Sequence, residues 1–197
     1  MNNLHISVDY DGTIARTTCH ICDLINGMTG SQFSYKDVNS WTYWQDIGLD
    51  KEFWKCYNLM DQIGRLQIQP YDKHVFDSLR YLSKNGINFN IVTANKKAAR
   101  KHIIEWMIKK GKIDAEDDVL DFDVECLGRV TCAEKLSLPY NIYLDDNPNM
   151  ADEIVNFSNK KMIIFNCPWN KNVKETNQVT RVESWKEVPE LIKRISQ

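Results

Sequence analysis

The chain has 197 residues, 43% of them apolar and 26% charged, with a net charge of −2. That is enough for one full core plus an inserted subdomain and too little for two independent domains of ordinary size. The near-neutral balance excludes the basic footprint of a protein that wraps duplex nucleic acid but allows a local pocket for one small anion, so a small molecule is the expected substrate.

No stretch approaches the roughly 20 apolar residues of a membrane span, and no basic n-region is visible at the start. Six cysteines, Cys19, Cys22, Cys56, Cys126, Cys132 and Cys167, without a secretion signal read as reduced thiols, which points to a cytoplasmic location. The first predicted element is a buried strand from Leu4 to Val8, and it runs straight into "DYDGT" at 9–13. Carboxylates at the end of a buried strand are costly unless paired, hydrogen-bonded or bound to a metal. Asp9 and Asp11 are therefore candidates for chemistry, and Gly12 permits a sharp turn between them and the rest of the chain.

From Ala15 to Gln69 there is no convincing strand. Ile21, Cys22, Leu24, Ile25 and Met28 fall at helical spacing, and Phe53, Tyr57 and Met60 mark a second helical face. Cys19 and Cys22 form a C-x-x-C that could be half of a zinc site or a redox pair, but no second C-x-x-C or H-x-x-x-H completes it; buried helix cysteines are the better reading. The segment holds three of the six tryptophans, Trp41, Trp44 and Trp54. At about 55 residues it is too long for an ordinary loop. It is expected to be a small helical cap, residues 15–69, inserted into a core of residues 1–14 and 70–197 and lying over the C-terminal ends of the strands.

Val75, Phe76, Leu79 and Leu82 then give one helical face closed by Gly86. A strand from Ile87 to Val92 follows and ends on "TAN" at 93–95. Ala99, Ile103, Trp106 and Met107 mark a helix expected to begin just after Thr93. The run "GKIDAEDDVLD" at 111–121 reads as a solvated loop. Strands are expected at Phe122–Leu127, Asn141–Leu144 and Met162–Phe165, and Val188, Leu191, Ile192 and Ile195 form a last helical face with Pro189 as its first residue. The alternation predicts an α/β protein, a Rossmann-like parallel sheet with helices on both faces.

Such sheets bind ligands outside the carboxyl ends of their strands. Three polar clusters sit there: "DYDGT", "TAN" and "LDDNP" at 144–148. Singly they are weak, since D-x-D is common and "DDNP" reads equally as a turn. Together they resemble the haloacid dehalogenase (HAD) superfamily of phosphatases, with Asp9 and Asp11, Thr93, Lys135, and Asp145 and Asp146 in that family's order.

The chemistry of these residue types fits the resemblance. A carboxylate in line with phosphorus can attack it and form an aspartyl-phosphate, and Asp9 is the expected nucleophile. Asp11, two residues on, is placed to protonate the departing alkoxide and later take a proton from water. Carboxylate and phosphate repel, which calls for Mg²⁺ as cofactor. Its expected ligands are Asp9, Asp145 and the backbone carbonyl of Asp11, with Asp146 direct or through water. Lys135 would neutralise the nucleophile and a phosphate oxygen, while the Thr93 hydroxyl and nearby amides, Ala94 among them, would bind the other oxygens. Read singly, Thr93 is a strand-end hydroxyl and Lys135 a solvated lysine. Arg129, Lys96 and Lys97 compete for the basic role, and the ten-residue spacing to Asp145 favours Lys135.

Within the superfamily the chain is most similar to the 5′(3′)-deoxyribonucleotidases. The short aromatic cap, "LDDNP", "IIFNCPWN" at 163–170 and "RVESWKEVPELI" at 181–192 carry that resemblance. It implies hydrolysis of a nucleoside monophosphate to nucleoside and phosphate, and it leaves a homodimer open, since relatives are commonly dimers. A base would stack on the cap rings, with Trp44, Trp41 and Phe53 as the expected contacts and Lys96 beside them, although the same rings serve equally as the core of a small subdomain. The alternatives are a phosphatase for another small ester or for nucleic-acid 3′-phosphate ends, and a regulatory protein on this scaffold. A haloacid dehalogenase proper would lack the second aspartate.

Overall fold

A computed structural model describes residues 4–113 and 120–195. The middle of the polar run expected as a solvated loop, residues 114–119, lies outside them. Six strands form one parallel sheet: β1 (His5–Val8), β2 (Asn88–Thr93), β3 (Val124–Cys126), β4 (Ile142–Asp145), β5 (Lys161–Phe165) and β6 (Val179–Val182). Their order across the sheet is β3-β2-β1-β4-β5-β6, every neighbouring pair parallel. This is the predicted fold class, with one strand more than the sequence announces.

β4 and β5 read as nearly continuous apolar runs because both faces are covered. Alternate residues feed two cores. Ile142, Leu144, Ile163 and Phe165 point into one, and Tyr143, Met162 and Ile164 into the other. The first core is covered by helices α1 (Thr17–Thr29), α3 (Asp50–Ile63), α4 (Val75–Lys84), α5 (Arg100–Gly111) and α8 (Val188–Ile195); α6 (Cys132–Leu136) and α7 (Pro148–Glu153) cover the second. Burying each Ile or Leu side chain stabilises the fold by about 1.5–3 kcal/mol.

Helix ends follow the sequence signals in part. α4 stops at Lys84, and Gly86 takes the left-handed conformation (φ 70°) expected of its capping position. α5 begins later than predicted: a 3-10 turn over Lys97–Ala99 precedes it. α8 starts one residue earlier, at Val188, so Pro189 is its second residue. β6 gives no clear sequence signal because it has only four residues, two of them polar and half-buried.

Residues 15–69 leave and rejoin the sheet at one neck. Ala15 bridges Pro70, the Arg16 amide donates to the Gln69 carbonyl at 2.9 Å, and the Tyr71 amide donates to Ile14 at 2.7 Å. Between those points lie α1, α2 (Tyr43–Asp46) and α3. Cys22, Ile21 and Ile25 face inward from α1, Cys19 is half-buried, and Met28 is exposed. α3 buries Cys56 and Met60, and Phe53 and Tyr57 pack beside them.

The strand order reverses between β1 and β4. The space outside their carboxyl ends is the usual ligand position of an open α/β sheet.

Candidate active site

The β1–β4 register pairs Val8 with Leu144, which sets the next residues, Asp9 and Asp145, side by side. The Asp9 amide donates to the Leu144 carbonyl at 2.8 Å and locks that placement. Asp146 follows in the turn before α7, where the Asn147 amide donates to Asp145 Oδ1 at 2.9 Å. Carboxylate oxygens of Asp9, Asp145 and Asp146 lie within 4.8 Å of one another, and all three residues are buried.

Gly12 makes this approach possible. Its φ is +76°, and a Cβ there would collide with the Asp146 carboxylate. From the other side Asn170, in the "CPWN" turn, donates to the Asp146 carbonyl at 2.8 Å and to the Phe165 carbonyl at 2.8 Å. That side chain, 1% exposed, is held in turn by Arg181 from β6. The short strand thus anchors the turn behind the acidic pair.

Lys135 extends from α6 into the cluster, its Nζ 2.8 Å from Asp9 Oδ1 and 2.8 Å from Asp145 Oδ2. The competing basic residues lie elsewhere. Arg129 sits over the Trp54 ring at 4.9 Å, and Lys96 donates to Asn58 on α3 at 3.1 Å. A capping box of Thr131 with Glu134 starts α6 and fixes the direction in which Lys135 leaves it.

Three carboxylates against one ammonium leave an excess of buried negative charge. Burial pushes the Asp9 carboxyl up to about 7; Lys135 opposes the shift, and Asp145 and Asp11 add to it. Burial, then Asp145 and Asp9, hold Asp146 well above the ordinary carboxylate range. For Lys135 burial works against the charge, but Asp145 and Asp9 outweigh it and raise its pKa. A hard, all-oxygen donor set of three carboxyl groups suits a divalent cation such as Mg²⁺, whose charge would favour their ionised forms.

Asp11 faces a different set of partners. Its Oδ1 accepts from the Thr17 hydroxyl and from Arg65 Nη1 (3.3 Å), and its Oδ2 from Asn95 Nδ2. Thr93, 1% exposed at the end of β2, accepts at Oγ1 from Asn95 Nδ2 (2.8 Å) and the Asn95 amide (3.3 Å). Ala94, between them, is exposed. Arg65 and the Asn95 side chain are additions to the expected set. Asn95 lies within "TAN" and is findable there; Arg65 is a lone arginine after Gly64, with no local signal.

The expected aromatic residues separate by exposure. Trp44 is 6% exposed and lies among Phe33, Tyr43 and Phe53, with ring centroids 5.4, 5.1 and 6.4 Å away. Trp41 is 47% exposed, and Phe53 is half-buried.

The six-stranded parallel sheet is the fold of HAD hydrolases. A HAD family hydrolase from Deinococcus radiodurans, solved with bound phosphate and sodium, superposes with a TM-score of 0.63 at 8% identity, covering 100% of this chain and 98% of its own. A putative phosphoglycolate phosphatase from Lactobacillus delbrueckii subsp. bulgaricus gives a TM-score of 0.61 at 15% identity, covering 96% and 98%. CbbY from Rhodobacter sphaeroides, in complex with phosphate, gives 0.54 at 12%, covering 93% and 95%. No curated protein matches the sequence. The family model described as "5′ nucleotidase, deoxy (Pyrimidine), cytosolic type C protein" matches residues 2–197, and the chain belongs to that family. It is a phosphoric monoester hydrolase of nucleotidase type. Among the described residues no helix is long and apolar enough to cross a membrane.

Proposed function

We propose that the protein hydrolyses nucleoside monophosphates, deoxyribonucleotides foremost, through an aspartyl-phosphate on Asp9 with Mg²⁺ as cofactor. The observation that carries this reading is the buried Asp9 carboxylate, held at one oxygen by Lys135 and flanked by Asp145 and Asp146. Asp9, Asp145 and Asp146, with the Asp11 backbone carbonyl, would hold the cation. When bound it offsets the charge of the phosphate and of the carboxylate that approaches it.

The chain's own groups do the rest. Lys135 restrains Asp9 and supplies a positive charge where phosphate oxygens gather. The Thr93 hydroxyl and the Ala94 amide bind those oxygens. Asp11 gives its proton to the departing ester oxygen and then takes one from the water that splits the phosphoenzyme.

Residues 15–69 act as a cap in this reading, and the nucleoside lies against its aromatic wall. Trp41 and Phe53 offer ring surface, Trp44 stacks on Phe53, and Lys96 stands at the contact between α3 and the strand end.

The test is phosphate release with Mg²⁺ from deoxy- and ribonucleoside 5′- and 3′-monophosphates, with a sugar phosphate and a 3′-phosphorylated oligonucleotide as controls. Preference for deoxynucleotides is expected. Turnover of the controls alone would discard the nucleotide assignment and keep the aspartate chemistry.

A further inference from the structure

Arg65 belongs to no motif, yet its side chain is fully buried directly beneath Asp11. Nη2 donates to Asn95 Oδ1 at 2.7 Å and to Asp61 Oδ1 at 3.1 Å, and Nη1 reaches Asp11 Oδ1 at 3.3 Å. The rings of Tyr10 and Tyr57 flank the guanidinium at 5.5 and 5.9 Å. A planar fork holds its acceptors at fixed spacing in one plane, whereas a lysine's three donors radiate from a single atom.

The bond to Asn95 decides more than its own length. An amide side chain accepts only at Oδ1 and donates only at Nδ2. With Oδ1 turned to Arg65, Nδ2 must face Asp11 Oδ2 and Thr93 Oγ1, as found. A carboxylate has about four acceptor positions. Thr17 and Arg65 take both on Oδ1, and Asn95 takes one on Oδ2, so among the described residues one position on Oδ2 remains.

We propose that Arg65, acting through Asn95, is the positioning residue that confines proton transfer by Asp11 to Oδ2 and aims it at the ester oxygen of the substrate; this rests on reading Asp9 and Asp11 as nucleophile and acid/base. In the step concerned, an Asp9 oxygen bonds to phosphorus while the bond from phosphorus to the ester oxygen breaks. The bonding pair stays on the ester oxygen, and the Asp11 proton moves to it. Arg65 touches neither phosphorus nor ester.

The experiment compares kcat/KM for two esters of one shape, phenyl phosphate and 4-nitrophenyl phosphate, in the full chain with Mg²⁺. Phenoxide is the stronger base and needs the proton; 4-nitrophenoxide leaves with little help. In Arg65→Lys, kcat/KM for phenyl phosphate is expected to fall by about 10- to 100-fold, while the nitrophenyl value stays close to wild type. A structural role would lower both alike, and equal losses would overturn the proposal.

Asp11→Asn is the control. If it is selective and Arg65→Lys is not, the role of Arg65 fails alone. If Asp11→Asn is itself unselective, the acid/base reading fails first and takes the role of Arg65 with it. Should Arg65→Lys not fold, Asn95→Ala keeps the buried charge and carries the same comparison: selective loss supports the proposal and uniform loss overturns it.

Discussion

The Asp146 carboxylate rests against the Cα of Gly12, where no side chain fits. One backbone position in the first motif therefore sets how near the last acidic residue comes to Asp9. Gly12→Ala meets both a left-handed φ of +76° and that carboxylate. The fold is expected to lose about 1–2 kcal/mol, and Mg²⁺ affinity to fall by about 10- to 100-fold because a candidate ligand is displaced. Thermal melts with and without Mg²⁺ check both; a variant whose Mg²⁺ titration matched wild type would detach Gly12 from the metal cluster.

Asp9→Asn should abolish turnover and leave the fold intact. Removing a carboxylate that burial already pushes up to about 7 relieves strain, so the metal-free melting temperature should hold or rise. Phosphate release at rates near wild type from purified Asp9→Asn would end the covalent mechanism.

Lys135→Met leaves Asp9 and Asp145 buried without their shared cation. Breaking a buried pair in this way costs about 3–5 kcal/mol. Denaturant melts of the metal-free variant should show that loss, and saturating Mg²⁺ should return part of it by binding the folded state alone. An undiminished metal-free stability would mean that the carboxylates stay neutral without the lysine.

Metal affinity should rise with pH. The Asp9 carboxyl, with a folded value of about 7 against 3.8 for the free side chain, holds a proton that must leave before it ligates. Calorimetry in two buffers of different ionisation enthalpy should show proton release on Mg²⁺ binding, greater at pH 6 than at pH 8. The sign for the metal-free fold is the reverse of a paired carboxylate. Between about pH 4 and 7 the folded state binds the extra proton at Asp9, so this site's contribution to stability falls as pH rises. Mg²⁺ binding with no proton release at pH 6 would show that Asp9 is ionised before the metal arrives.

Trp185→Phe tests the link between the end of the chain and the first motif. The indole, fully buried, donates to the Thr13 carbonyl at 2.7 Å. Phenylalanine drops the donor and leaves a cavity where the larger indole stood, so the loss should be at least the roughly 1–3 kcal/mol of an unsatisfied buried acceptor. Urea melts measure it, and an unchanged midpoint would show that Thr13 finds another donor.

Strands β1, β2, β4 and β5 are legible in the sequence because a short β-rich apolar stretch set between helical patterns fits little besides a buried strand, and three of them end in a polar cluster. Asp9 and the acidic pair fall on strand ends for the same reason, and the structure brings Asp9, Lys135, Asp145 and Asp146 into contact. β6 is not legible, since Thr180 and Arg181 interrupt its apolar pattern and its purpose, bracing Asn170, is tertiary. Arg65 is hidden by the same kind of cause: 54 residues separate it from Asp11, and only the return of the chain at the neck makes them neighbours. The aromatic residues of α2 and α3 can be counted but not sorted, because ring spacing on a helix is identical for a core and for a wall.

The central position of β1 and β4 has a consequence for synthesis. Asp9 emerges from the ribosome early, but Lys135, its partner 126 residues on, follows only after β2 and β3 have been made. Contacts of such long range form late. A nascent chain that stops short of α6 carries Asp9 without its lysine or its acidic neighbours. The acidic cluster is therefore assembled only once the chain has been made as far as Asp146 and β4 has paired with β1.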